Sequence, residues 1–169
     1  MPTEVPMPVW NAADKAASLQ TFAEWLHAQA VETFLRDKTH VHALFLFQDK
    51  GLASVNAVPP GTTPAALAAG MREAVQKYGL YAIVMTSEAW TYVPRVPRDH
   101  TVLQILDGEM NVADLAEGDR TEALLVSIES REGAHQVWID PIVRSDKEVT
   151  LAPGRMLAGE HCLKLQKFF

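Results

Sequence analysis

Residues His40–Val58 read HVHALFLFQDKGLASVNAV, and this stretch decides the fold. From Ala43 to Phe47 both alternating faces are apolar, the pattern of a strand covered on two sides. Gln48-Asp49-Lys50-Gly51 reads as a tight turn, with Gly51 free to take a positive φ. Leu52–Val58 then alternates, with Ala53, Val55 and Ala57 on one face and Leu52, Ser54 and Asn56 on the other. The spacing predicts a hairpin of one buried and one half-buried strand, ended by Pro59-Pro60-Gly61.

Helical periodicity flanks the hairpin. Leu19, Phe22, Ala23, Leu26, Ala30 and Phe34 recur every three or four residues, predicting a helix over Asp14–Arg36 that Asn11 or Asp14 can cap. Thr63-Pro64 supplies an N-cap and a first-turn proline for a second helix, with Leu67, Met71, Ala74, Val75 and Tyr78 as its stripe and Gly79 as its stop. Leu80–Thr86 follows as another buried strand. Glu122–Ser130 and Ala134–Val143 read as an antiparallel pair about Arg131-Glu132-Gly133. Pro141 should lie on an edge or at a bulge. A short strand near Glu148–Leu151 and a short helix over Glu160–Phe169 complete the chain.

Residues 87–120 are expected to form an irregular insertion, broken by Pro94 and Pro97. Within it Thr101–Leu106 is readable as helix or strand, and Asn111–Glu117 as a helical turn or two. With an extended arm over 1–13, the whole 1–169 reads as a single α+β domain. It has one mostly antiparallel sheet of about five strands and two main helices, in the order α-β-β-α-β-insertion-β-β. In element order alone this is similar to the roadblock and profilin-like small α/β sandwiches, several of which are assembly modules. The similarity implies an assembly role and assigns no site residue.

Composition narrows the function classes. The chain has 169 residues, 48% hydrophobic, with a formal charge of −6 and one cysteine. That suits one folded domain, and it excludes an intramolecular disulfide and a multi-cysteine metal site. The acidic balance argues against nucleic acid as partner. No basic-then-apolar leader opens the sequence and no apolar run is long enough to cross a bilayer, so a cytoplasmic protein with no membrane partner is expected. The charge is also local: Asp107–Glu122 holds six acids and only Arg120 as a base, which is −5 of the total. The stretch does not fit a calcium loop, because Ala113 and Leu115 fall at ligand positions.

Five residues are candidates for binding a ligand. Ser87-Glu88-Ala89-Trp90 follows a buried strand, where a loop is well placed to hold a site. A carboxyl beside an indole suits proton transfer, and the indole face suits a cation. The structural alternative is that Glu88 pairs with an arginine and Trp90 seals the core edge. Arg120 is the expected partner, which would make the pair a clamp. His40 and His42 lie two apart on one strand face, a spacing that serves a metal only with a third ligand; otherwise they are the exposed start of a strand. No third ligand, phosphate loop, nucleophile elbow or nucleotide fingerprint is visible, so no metal and no cofactor are expected. Cys162 beside His161 does not make a nucleophile–base pair, since sequence neighbours point apart.

With no catalytic motif complete, the sequence favours a non-enzymatic assembly or regulatory binding module. A homodimer is expected, through a sheet edge or the Trp138 face; the alternative for Trp138 is to pack under the first helix. A small hydrolase built around Glu88 and Trp90 is the alternative.

Overall fold

A computed structural model describes residues 5–92, 99–106, 109–159 and 168–169. The helix α1 spans Lys15–Asp37. Its start is capped by the Asp14 carboxylate, which accepts from the Ala17 N–H at 3.2 Å. It stops at Lys38, left-handed with φ 62°, whose N–H returns to the Phe34 carbonyl and whose Nζ donates to the Val149 carbonyl at 3.0 Å. The hairpin is β1 (Ala43–Gln48) and β2 (Gly51–Ala57), followed by α2 (Pro64–Tyr78). In α2 the Thr63 hydroxyl caps Ala66 and Gly79 closes the end with φ 59°.

Three long strands follow: β3 (Ala82–Thr91), β4 (Thr121–Ser130) and β5 (His135–Arg144). Between β3 and β4 lie the short helix α3 (His100–Leu106) and two single 3-10 turns, Val112–Asp114 and Glu117–Asp119. Two short strands, β6 (Val149–Leu151) and β7 (Arg155–Ala158), end the described fold. All seven strands join one antiparallel sheet in the order β2-β1-β3-β4-β5-β6, with β7 also pairing β5. Among the described residues the architecture is thus α+β with a single sheet, of seven strands rather than about five.

The sheet separates two apolar layers, as the two-sided pattern of β1 requires. Phe47, Ala82, Val84, Leu124, Val126 and Ile128 point to one side, where the α1 stripe of Leu19, Phe22, Ala23, Leu26, Ala30 and Phe34 covers them. Leu44, Leu46 and Ile83 point to the other, against Leu67 and Ala68 of α2, together with Leu80 and Phe168. Burying each large side chain contributes roughly 1.5–3 kcal/mol, so the layers outweigh any single polar contact below. Trp10 stacks on Phe47 at 5.2 Å and donates to the Asp49 carbonyl at 3.1 Å, holding residues 5–10 against the turn of the hairpin. Tyr81 is buried and donates to Glu132, and burial pushes its phenol up to about 12.

Three departures from the sequence reading matter for function. First, β3 does not stop at Thr86. Ser87–Thr91 pairs residue for residue with Thr121–Leu125, so a stretch expected to begin the irregular insertion is sheet. The cause is mutual: these residues lack an apolar run of their own, and the start of β4 supplies their partner. Second, the register slips between Leu46 and Phe47, leaving Ala53 as an extra, bulged residue. Leu52 therefore opposes Phe47 and joins the α1 side, away from Ser54 and Asn56. Third, of the two readings of Trp138 the structure takes packing under the first helix, not the open face. His27 of α1 stacks on it at 5.7 Å, and it packs against the α1-side core. The expected helix over Glu160–Phe169 falls outside the described residues, except for its last two.

The outer side of β5 is shared by two short strands. Gln136–Ile139 pair with β7 and Ile142–Arg144 with β6, and Pro141 falls in the gap between them. There its missing N–H breaks no ladder, while its carbonyl accepts from Ala152 at 2.8 Å. Gly154 crosses the same gap. A Cβ on it would stand 2.1 Å from the Asp140 Oδ1, so any larger residue would have to displace that carboxylate.

Candidate functional site

Glu88, Trp90 and Arg120 meet at one end of the sheet, on the α1 side, with the backbone of His40 beside them. The alternation of β3 puts Thr86, Glu88 and Trp90 on this face, opposite Val126, Leu124 and Glu122 of β4. Glu88 is 19% exposed at its side chain. One of its oxygens accepts the backbone N–H of His40. The other lies 3.6 Å from the Arg144 guanidinium. Arg144 in turn holds Glu122 bidentately, with both contacts at 2.7 Å. That hydrogen-bonded pairing lowers the Glu122 pKa and raises that of Arg144.

The arginine on Glu88 is therefore Arg144, not Arg120 as the sequence suggested. Arg120 sits over the Trp90 ring, its guanidinium carbon 4.1 Å from the centroid, and donates to the Ala113 carbonyl. The cation that the indole face was expected to attract is the chain's own. The Arg120 Nε is buried and finds no partner among the described residues.

The two histidines do not share a strand face, because β1 begins after them at Ala43. The His40 Nδ1 lies 2.8 Å from the Val41 carbonyl. The His42 Nε2 is buried without a hydrogen bond, and that burial lowers its pKa. Among the described residues no group of three or more His, Cys, Asp or Glu side chains could hold a metal ion. The cluster thus brings the side chains of Glu88, Trp90 and Arg120 together with only the backbone of His40, and the polar atoms of Glu88 are already occupied by the protein itself.

A second polar pair escaped the sequence reading. The His27 Nε2 on α1 and the Asp140 Oδ2 on β5 are 2.6 Å apart, under the edge of the helix. His27 flanks the apolar stripe next to Leu26, and Asp140 shares the inward face of β5 with Trp138 and Ile142. Those two positions were the available signal, though pairing them needs the helix–sheet docking angle.

The open features lie at the other edge of the sheet. A trough of about 570 Å³ separates α2 from the hairpin, lined by Leu44, Leu46, Leu67, Met71, Leu80 and Asn56 among others, with no charged side chain. None of Glu88, Trp90, His40, His42 or Arg120 lines it. Beside it runs β2, the end strand of the sheet. The Val58 N–H donates to the His42 carbonyl at 2.8 Å, which fixes the phase of this ladder. Asn56 and Ser54 therefore turn their backbone groups to β1, while Val55 and Ala57 turn theirs outward. Nothing among the described residues pairs with them. Ala53 to Ala57 are exposed, Val55 at 54%.

Among the described residues no helix is long and apolar enough to cross a membrane. A family model described as bacteriophage lambda protein ea47 matches residues 7–164. No curated protein and no solved structure matches the chain.

Proposed function

The chain belongs to the bacteriophage lambda protein ea47 family, and we propose that it is a cytoplasmic, non-enzymatic assembly module that joins a protein partner by strand addition at β2. The observation that carries this reading is the edge itself. Gly51–Ala57 has no charged residue and no proline, and it holds the outward N–H and C=O groups of Val55 and Ala57 in strand geometry. Folded proteins ordinarily blunt such an edge with lysine, proline, a very short strand or a cover. An edge left open offers main-chain hydrogen bonds to an extended partner, each worth roughly 0.5–1.5 kcal/mol net. The Ala53 bulge interrupts only the turn-proximal part, leaving Ser54–Ala57 regular.

The hydrolase reading built around Glu88 and Trp90 draws less support. Glu88 is held by Arg144 and the His40 amide, and the Trp90 face by Arg120. A general acid or base needs a free approach for its substrate. These groups instead lock the β3, β4 and β5 ends to the start of β1.

Hydrogen exchange tests the assembly reading. In the oligomer seen by light scattering at micromolar concentration, the amides at positions 55 and 57 should exchange at least about tenfold more slowly than in Val55→Lys. An oligomer whose β2 amides exchange equally fast in both proteins would put assembly elsewhere. A clean monomer with freely exchanging β2 amides would overturn the proposal outright.

A further inference from the structure

We infer that the partner at β2 is a second copy of this chain, paired antiparallel about a two-fold axis at Val55. The inference rests on β2 being the assembly edge. Three observations lead to it.

The first is that the strand is its own complement. In an antiparallel pair, opposed residues share a face, so a two-fold axis normal to the sheet must set some residue against itself. With Val55 at the axis, its outward N–H and C=O exchange two hydrogen bonds with their copies. The exposed valine then covers an identical valine, a favourable β-branched pair. On the opposite face Asn56 meets Ser54 of the other copy twice. These are the two side chains that already hydrogen-bond within one chain, at 2.9 Å. A two-fold at Ser54 or Asn56 would instead set like polar side chains against each other and leave Val55 facing an alanine.

The second is charge. A charged residue at the axis would meet its own copy, and like charges directly opposite each other are destabilising. No residue of Gly51–Ala57 is charged, so the usual obstacle to self-pairing is missing along the whole edge.

The third is closure. A two-fold at β2 uses the same patch on both copies, and the border left over is made of β6 and β7, strands of three and four residues. There β6 and β7 already take up Gln136–Ile139 and Ile142–Arg144. Growth therefore ends at two chains. An edge that joined different surfaces head to tail would propagate instead.

Disulfide scanning in a Cys162→Ser background tests the axis. Val55→Cys places two thiols on it, within the roughly 4.4–6.8 Å Cα span that a disulfide bridges. Ser54→Cys and Asn56→Cys each sit two residues off-register with themselves, and only a mixture of the two brings thiols opposite. Under mild oxidation Val55→Cys should give mostly covalent dimer. The two neighbouring single variants should give at least about tenfold less, and their mixture should recover it. Dominant cross-linking of Ser54→Cys or Asn56→Cys would overturn the Val55 axis. Absent cross-linking at all three, with positions 55 and 57 still protected from exchange, would overturn the two-fold pairing at Val55 while leaving β2 as the assembly edge. Absent cross-linking together with freely exchanging β2 amides would overturn both. A melting curve for each cysteine variant separates a misfolded protein from an unlinked one.

Discussion

The two borders of this sheet are built in opposite ways. On the β2 side, an uncharged strand ends the sheet with Val55 and Ala57 turned outward and no neighbour among the described residues. On the β5 side, the same kind of opening is divided between a three-residue and a four-residue strand, with Pro141 in the gap and Gly154 pressed on Asp140. Short pieces, a proline and a close crossing are the devices by which a sheet edge is taken out of use. Their presence on one border shows that this sequence can close an edge. Their absence on the other is what gives β2 its functional reading.

The sharpest break of the contrast is to give β2 the protection that β5 has. Val55→Lys should weaken self-association about a hundredfold or more, roughly 3 kcal/mol, read by sedimentation across a concentration series. The melting temperature of the dissociated chain should barely move, because Val55 is exposed. The next effect runs the other way. Gly154→Ala forces a Cβ against the Asp140 carboxylate and should destabilise the β5 border by about 1–3 kcal/mol, seen as a lower urea midpoint with unchanged self-association.

Smaller effects come from the sheet end that the sequence singled out. Arg144→Ala removes the bidentate grip on Glu122 and the contact with Glu88, and should cost about 1 kcal/mol, since the guanidinium is well exposed. The Glu122 pKa is lowered in the folded chain. Its contribution is therefore complete above the ordinary glutamate range and fades as the pH falls through the depressed value. Arg144→Ala should flatten that acid limb in urea titrations between roughly pH 5 and pH 3. The smallest effect is at His42, whose pKa is lowered by burial. The unfolded chain takes up a proton near pH 6.5 that the folded one resists, so stability should drop as the pH falls through that range. His42→Leu should remove this dependence at an overall change under about 1 kcal/mol. A pH response that survives the substitution would locate it at another histidine.

Most of the scaffold was legible because its signals are local. The α1 stripe, the Thr63-Pro64 start, the Gly79 stop and the Gln48–Gly51 turn each follow from residues within a few positions of one another. What was not legible depends on register between distant strands. Glu88 was expected to meet an arginine, and the choice of Arg144 over Arg120 follows from Glu88 facing Leu124 and Leu124 facing Asp140, which carries the β5 end to its side. The continuation of β3 through Trp90 failed to show for the same reason, since Ser87-Glu88-Ala89 alone reads as a loop. β7 was missed because four residues carry too little periodicity to mark a strand. The bare edge was half visible: the uncharged alternation of β2 was on view, but its place at the end of the sheet was a matter of topology.

One feature of that topology bears on how the chain folds. Nearly every pair of neighbouring strands is also consecutive in sequence: β1 with β2, β3 with β4, β4 with β5 and β5 with β6. Apart from the short skip to β7, the exception is β1 against β3, where Ala43–Phe47 meets Ala82–Thr86 across the whole of β2 and α2. Consecutive order is not nearness in every case, because β4 meets β3 only across the insertion, so loop closure is concentrated on the two sides of β3, where it meets β1 and β4. Folding should be timed by the docking of β3 between its two distant neighbours, so that Val84→Ala, opposite both Phe45 and Ile128, slows refolding far more than an equally destabilising change between β4 and β5.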